Sequence, residues 1–211
     1  MADLTYTLLS DGSSDQALLP LLTWLLRQQG ISYAIQSQWA DLRRIRPKPP
    51  KKLNERIPYA VDLYPCDLLF IHRDAENVAY EERVREITNV LQSIIPHPPS
   101  VCVVPVRMQE AWLLFNEKAI RRAAGNPNGN NFLELPTLEK AEALPNPKEI
   151  LYDLILQATG LRPGRRKKFK VKEGVHRVAE FINDFSPLRS LSAFANLEAS
   201  IDDLLQSQKW R

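Results

Sequence analysis

The run Leu68-Leu69-Phe70-Ile71-His72-Arg73-Asp74-Ala75-Glu76 is a short apolar segment that stops at two acids. Pro65 bounds it on one side and polar residues on the other, the pattern of a strand buried on both faces of a parallel sheet. The acids then fall at the carboxyl end of the strand, where open α/β sheets bind their ligands. Asp74 and Glu76 are two residues apart, so on an extended chain both carboxylates point to one side. Two carboxylates on one side of a strand tip suit a hard divalent cation such as Mg²⁺. A polar loop after a core strand accounts for them as well, and the rest of the chain has to decide.

Upstream, Leu4 to Leu9 has strand-favouring composition and ends at Ser10-Asp11-Gly12-Ser13-Ser14-Asp15. Ser13 or Ser14 can cap a helix there, with Asp15 favourable in its first turn. Leu18, Leu19, Leu22, Leu25 and Leu26 have helical spacing as far as Gly30, a suitable stop. Residues 33–36 form a second strand. A basic, proline-rich loop carries Arg43, Arg44, Arg46, Lys48, Lys51 and Lys52 and leads into a helix over 53–64. Downstream, a helix over 80–95 is broken by Pro96-His97-Pro98-Pro99. The fourth strand, 101–106, is almost wholly apolar and ends at Arg107-Met108-Gln109-Glu110, entering a helix through Leu113 and Leu114. After Gly125 only short helical patterns follow, over 137–144, 148–159, 175–185 and 197–206. A second basic run, Arg162 to Lys172, separates two of them. The expected fold is therefore α/β: a mostly parallel sheet with flanking helices over residues 1–125, then a helical C-terminal extension, 126–211, packed on it.

Composition narrows the function classes. Of 211 residues 44% are hydrophobic and 25% charged, the profile of a globular chain that builds a core without disulfides. The net charge of +3 does not by itself demand a nucleic-acid partner, but its concentration in two runs does bear on one. Cys66 and Cys102 lie in or beside apolar runs without metal-ligand spacing and read as buried free thiols, suited to a reducing cytoplasm. Met1-Ala2-Asp3-Leu4 lacks the basic start and apolar stretch of a leader, and no apolar run reaches transmembrane length, so a cytoplasmic protein without a membrane partner is expected. There is no phosphate-binding Gly-rich loop with Lys, which argues against an ATPase, and no Gly-x-Ser-x-Gly elbow. His72, His97 and His176 have no ligand spacing; His72 precedes Asp74 and is within reach of its site, but reads first as a satisfied strand-end histidine.

Three strand ends carry acids: Asp11 with Asp15, Asp74 with Glu76, and Glu110. In a parallel sheet all of them share one rim. Carboxylates brought together repel unless a cation neutralises them, and Mg²⁺ (or Mn²⁺) does so while keeping waters for chemistry. Arg73 and Arg107, each beside an acid, either stabilise charge on a phosphate or form local ion pairs across the rim. Arg43, Arg44, Arg46, Lys51 and Lys52, with Arg165, Arg166, Lys167, Lys168 and Lys170, either track the backbone of DNA or RNA or form solvated surface loops. Phe169 is a candidate for stacking on a base.

Asp11-Gly12-Ser13-Ser14-Asp15 after a strand resembles the first motif of TOPRIM domains, Glu-Gly-x-x-Asp. Asp74-Ala75-Glu76 resembles the second, Asp-x-Asp. The wider pattern is similar to a small bacterial TOPRIM-like family related to nucleases of the overcoming-lysogenisation-defect type. Its tokens are Asp-Gly-x-x-Asp, the strand ending in Asp74, Glu110-x-Trp112-Leu113, and a Lys-rich stretch before a helix ending near Phe185-Ser186-Pro187. The resemblance implies a Mg²⁺-dependent nuclease in which Asp74 and Glu76 hold the metal. Asp11 is then a further ligand or activates water, and Glu110 is an outer ligand or orients a basic residue. It also implies links to phage-defence or toxin-like systems, with DNA repair as the other setting; a separate ATPase is the partner expected of a binding subunit, and a homodimer is the expected assembly. Two departures matter: Asp11 stands for Glu and Glu76 for Asp. Metal ligation tolerates such changes in reach better than general acid–base work does. The alternatives are a non-catalytic nucleic-acid- or protein-binding subunit of a defence or repair complex, and a small-molecule phosphohydrolase, which needs neither basic run.

Overall fold

The computed structural model describes residues 3–210; Met1 and Ala2, where the reading for a leader began, lie outside it. Four strands form one sheet: β1 (Asp3–Leu9), β2 (Ala34–Trp39), β3 (Leu68–His72) and β4 (Ser100–Val103). All are parallel, in the order β2-β1-β3-β4. The chain steps outward from β1 to β2, then crosses back and continues on the other side through β3 and β4. The gap between the carboxyl ends of β1 and β3 is therefore the point where the topology switches, the usual ligand crevice of such sheets.

Alternation along the strands builds the two layers. Leu4, Tyr6 and Leu8 of β1 and Leu68 and Phe70 of β3 face one apolar cluster. Leu9, Leu69 and Ile71 face another. The second layer is thin, formed by α2 (Leu53–Leu63) and α3 (Tyr80–Gln92) through Ile57, Ala60, Ile87 and Leu91. The first is thick. It holds α1 (Leu18–Gln28), preceded by a 3₁₀ turn over Ser13–Ala17, and the helices of the C-terminal half.

Those helices are α4 (Glu117–Ala123), α5 (Leu138–Ala141), α6 (Pro147–Ala158), α7 (Pro163–Arg166), α8 (Val171–Phe181) and α9 (Ser192–Gln208). Phe185, Phe194, Leu197 and Ile201 join the same cluster as Tyr6 and Phe70. Trp112 is fully buried and packs edge-on against Phe194, with ring centroids 5.7 Å apart. The helical half thus shares a core with the sheet.

Several boundaries differ from expectation. β2 runs to Trp39 rather than to residue 36, because it pairs with β1 as far as Leu8. In α1 the buried position is Leu21 rather than Leu19, whose carbonyl instead accepts the Tyr6 hydroxyl at 2.8 Å. α8 begins four residues before the expected 175, and Gly174 explains why. A Cβ there would sit 3.1 Å from Ile155 Cγ2, so this glycine lets α8 approach α6 closely rather than ending a helix. Within the second basic run, expected as loop, Pro163 opens the short α7. Both cysteines are free and half-buried, and burial raises their thiols, Cys102 to about 11. No helix among the described residues is long and apolar enough to cross a membrane.

Candidate active site at the strand tips

Strand alternation continues past β3 and sorts the residues that follow. Arg73 N–H bonds Val103 O at 3.2 Å and Ala75 N–H bonds Pro105 O at 3.0 Å, so the chain stays paired and extended to Ala75. His72 and Asp74 consequently fall on the side of Phe70, towards the helical half. Arg73 falls on the side of α2 and α3, where it pairs with Glu86. The extension stops at Glu76, whose backbone is left-handed with φ 56°. That corrects the expectation that Asp74 and Glu76 act as an extended pair. They border one cleft of about 340 Å³, but Asp74 is set inside while Glu76 is exposed at the mouth.

The inner acids come from three different connections. Asp15 sits in the 3₁₀ turn after β1, 7% exposed. Its Oδ2 accepts the Gly12 N–H at 2.9 Å and its Oδ1 accepts the Ser14 hydroxyl at 3.1 Å. Its Oδ1 also accepts the side-chain amide of Gln109 at 3.0 Å. The backbone N–H of the same Gln109 donates to Asp74 Oδ1 at 3.1 Å. Gln109 thereby ties the β1 acid to the β3 acid from the connection after β4. Glu110, next in the chain, is 3% exposed and lies 3.7 Å from Lys148 Nζ at the start of α6.

These acids act on one another. Burial, joined by the charges of Asp15 and Glu110, pushes the Asp74 carboxyl up to about 6, against the opposing pull of His72 and the Gln109 N–H. Burial and the charge of Asp15 raise Glu110 as well, opposed by its own backbone N–H, Lys148 and His72. His72 is buried, with Nδ1 2.9 Å from Val103 O. A carbonyl only accepts, so Nδ1 carries the hydrogen and Nε2 faces Asp74 Oδ1 at 3.5 Å. A histidine held through Nδ1–H on a backbone carbonyl, with Nε2 towards a cluster of acids, has the orientation that metal-ligating histidines use.

Asp11 lies further out, with its side chain 55% exposed, between Arg56 and Arg73. Arg56 bonds both its carboxylate and the Ser10 carbonyl; Arg73 Nε is 3.4 Å away. The deep acid of the first loop is therefore Asp15, and Asp11 holds two guanidinium groups at the mouth. Arg73 thus forms ion pairs with Asp11 and Glu86 while still lining the cleft beside Asp74. Arg107 is half-buried and bonds Asn77 at 2.6 Å.

The first basic loop adjoins this rim. Lys51 and Lys52 border a cleft of about 300 Å³ with Asp11, Arg56 and Arg73. Arg43, Lys51 and Arg56 border another, of about 240 Å³, with Asp11 and Trp39. Arg44 and Arg46 are exposed. Of the second run, Arg165, Lys167, Lys168 and Lys170 are exposed, and Lys170 pairs with Glu173 at 2.9 Å. Arg166 is half-buried and bonds Leu161 O at 2.8 Å. These residues line none of the three clefts that meet at Asp11. Phe169 is half-buried and packs against the core beside Gly174.

His72, Gln109, Arg56 and Lys148 were not assigned to the site from sequence. For Gln109 the signal was available, since it follows β4 directly beside Glu110. For Arg56 and Lys148 there was none, since each reaches the rim from a helix.

Hard oxygen donors held close together, with Asp74 and Glu110 raised by burial and neighbouring charge, suit a divalent cation. Among the described residues no three His, Cys, Asp or Glu side chains form a ready-made metal site. Mg²⁺ takes one or two direct carboxylates and keeps several waters, so the donor set fits it without such a cage.

The fold and the rim define an α/β protein with an acid-lined crevice at its switch point. Comparison with protein-family models, curated proteins and solved structures finds no match to this chain.

Proposed function

We propose that this chain is a divalent-cation-dependent phosphodiesterase, a TOPRIM-like nuclease acting on DNA or RNA. The observation that carries the reading is the Asp15–Gln109–Asp74 link with Glu110 beside it. Asp15 and the half-buried Asp74 border one crevice with Glu110 buried near them, and Asp74 is left with its proton affinity raised towards neutrality. Burial and neighbouring acids raise both Asp74 and Glu110, the kind of perturbation that clusters at functional sites.

Asp74, with Asp15 or Glu110, would hold Mg²⁺ or Mn²⁺. Bound there, the cation supplies a Lewis acid for phosphoryl oxygen and eases the ionisation of water. The chain's own residues do the rest. Gln109 fixes the spacing of Asp15 and Asp74. His72 sets the orientation of Asp74 through its own bond to Val103. Arg73 and Arg56, positioned by Asp11, offer positive charge to a phosphate at the mouth. Glu76 borders the entrance. Lys51 and Lys52 extend the positive track away from the acids.

The test is cleavage of labelled single- and double-stranded DNA and RNA with Mg²⁺, with Mn²⁺ and with chelator. Metal-dependent cutting that disappears in Asp74→Ala is the expected result. A second reading, a non-catalytic nucleic-acid-binding subunit of a defence or repair complex, is favoured by the engagement of Asp11 with two arginines. It gains if binding persists, indifferent to metal, and no substrate is cut.

A further inference from the structure

Three clefts meet at Asp11. One leads to Asp15 and Asp74, one to Lys51, Lys52 and Arg73, and one to Trp39, Arg43, Pro49 and Pro50. The last differs in chemistry, having an aromatic and proline wall. Trp39 is the final residue of β2, and its Nε1–H donates to Ser10 Oγ at 2.8 Å. Ser10 Oγ in turn donates to Gly12 O at 3.2 Å, so the indole is tied to the turn that carries Asp11 and Asp15. The Arg43 guanidinium lies over the indole, 4.9 Å from its centroid. It is held there by a two-point bond to Asp41, Nε–Oδ1 2.7 Å and Nη2–Oδ2 2.8 Å. Asp41 already satisfies the charge of Arg43, so what this side chain offers is a fixed flat surface rather than a free cation. Flat guanidinium and indole faces are what unstacked bases pack on.

We propose that this Trp39–Arg43 cleft seats a nucleobase of single-stranded nucleic acid, next to the strand's scissile phosphate. The inference rests on the phosphodiesterase reading and deepens it by naming the substrate class. Lys51 and Arg56 line both this cleft and its neighbour, which leads to Arg73, so they stand where the phosphate joining two nucleotides passes. A duplex keeps its bases stacked inside and would touch only the cationic groups. An aromatic and proline-walled cleft of about 240 Å³ between those groups has a use only for a base that is already free.

The test uses the full chain carrying Asp74→Asn, so that substrate is bound and not cut. Short oligothymidylate, oligouridylate and a DNA duplex of equal length are titrated while tryptophan emission and oligonucleotide polarisation are followed. Single strands are expected to quench emission, and Trp39→Phe is expected to remove the quench. Arg43→Lys, which keeps the charge and loses the plane, is expected to weaken single-strand binding roughly 5- to 100-fold, the span for stacking one base, with duplex binding unchanged. Trp39→Ala should do the same; Arg43→Lys, at an exposed position, guards against misfolding. A preference for the thymidylate or the uridylate strand assigns DNA or RNA. Single-strand binding that is indifferent to Arg43→Lys and Trp39→Ala, with no quench, overturns the proposal. Cleavage by the native chain alongside that indifference leaves the phosphodiesterase standing and removes only the base seat. A Trp39-dependent quench with no cleavage keeps the seat and removes the enzyme.

Discussion

The carboxylate of Asp15 accepts the side-chain amide of Gln109 at 3.0 Å, a buried contact between residues 94 positions apart. It fixes the loop after β1 to the turn after β4, across the end of β3. Gln109→Ala leaves a buried carboxylate one donor short, at a cost of about 1–3 kcal/mol in chemical denaturation. The backbone N–H bond to Asp74 survives that change, so cleavage is expected to fall sharply without the chain unfolding. Gln109→Glu adds a carboxylate to the group and should be the less stable of the two near neutral pH.

Asp11 and Asp15 share a loop but have opposite environments. Asp11 is 55% exposed between two arginines, and Asp15 is 7% exposed against Gln109. Asp15→Asn is therefore expected to abolish cleavage as completely as Asp74→Asn. Asp11→Asn should retain measurable turnover and steepen the salt dependence of binding, since Arg56 and Arg73 lose a counter-charge. An inactive Asp11→Asn beside an active Asp15→Asn would transfer the central role to the outer acid.

The raised Asp74 carboxyl makes stability depend on pH in a definite direction. Its folded value of about 6 lies above the ordinary 3.8, so the folded chain binds this proton more tightly than the unfolded chain. Below about pH 3 both states are largely protonated and there is almost no penalty. As pH rises towards 6 the folded state loses ground, and above that the loss is constant, on the order of 3 kcal/mol. In chelator, Asp74→Asn should thus be more stable than the native chain near neutral pH, and the difference should vanish at about pH 3. Adding Mn²⁺ should raise the melting temperature of the native chain and leave that of Asp74→Asn almost unchanged.

What could be read in advance follows from where the information lies. The four strands and their order of appearance were legible because Leu68–Ile71 and Val101–Val104 are apolar runs too short for helices. Parallel strands then carry every acid at a carboxyl end to one rim. Which acid lies deep was not legible. Asp11 is flanked by residues much like those around Asp15, and only the 3₁₀ turn over Ser13–Ala17 rotates Asp15 inward. The left-handed backbone at Glu76 was equally hidden, since the sequence carries no glycine there to announce it. The packing of Phe169 against the core was hidden for a tertiary reason: Gly174 opens space that the ring helps to fill.

The shared core predicts how the chain behaves when divided. Cutting after residue 125 removes Phe185, Phe194, Leu197 and Ile201 from the cluster that also holds Tyr6, Leu8 and Phe70. A fragment of residues 1–125 would keep α2 and α3 on one face of the sheet, with only α1 and α4 on the other. It is expected to lack dispersed amide resonances in NMR, whereas a separable domain would show them. Trp112→Ala tests the same boundary inside the intact chain. The indole is fully buried against Phe194 of α9, so its loss should cost about 3–5 kcal/mol. It lies in the same 3₁₀ turn as Gln109 and Glu110, so hydrogen exchange at those two amides should rise with it. A loss of stability confined to α9, with those amides still protected, would show that the helical half covers the sheet without holding the site.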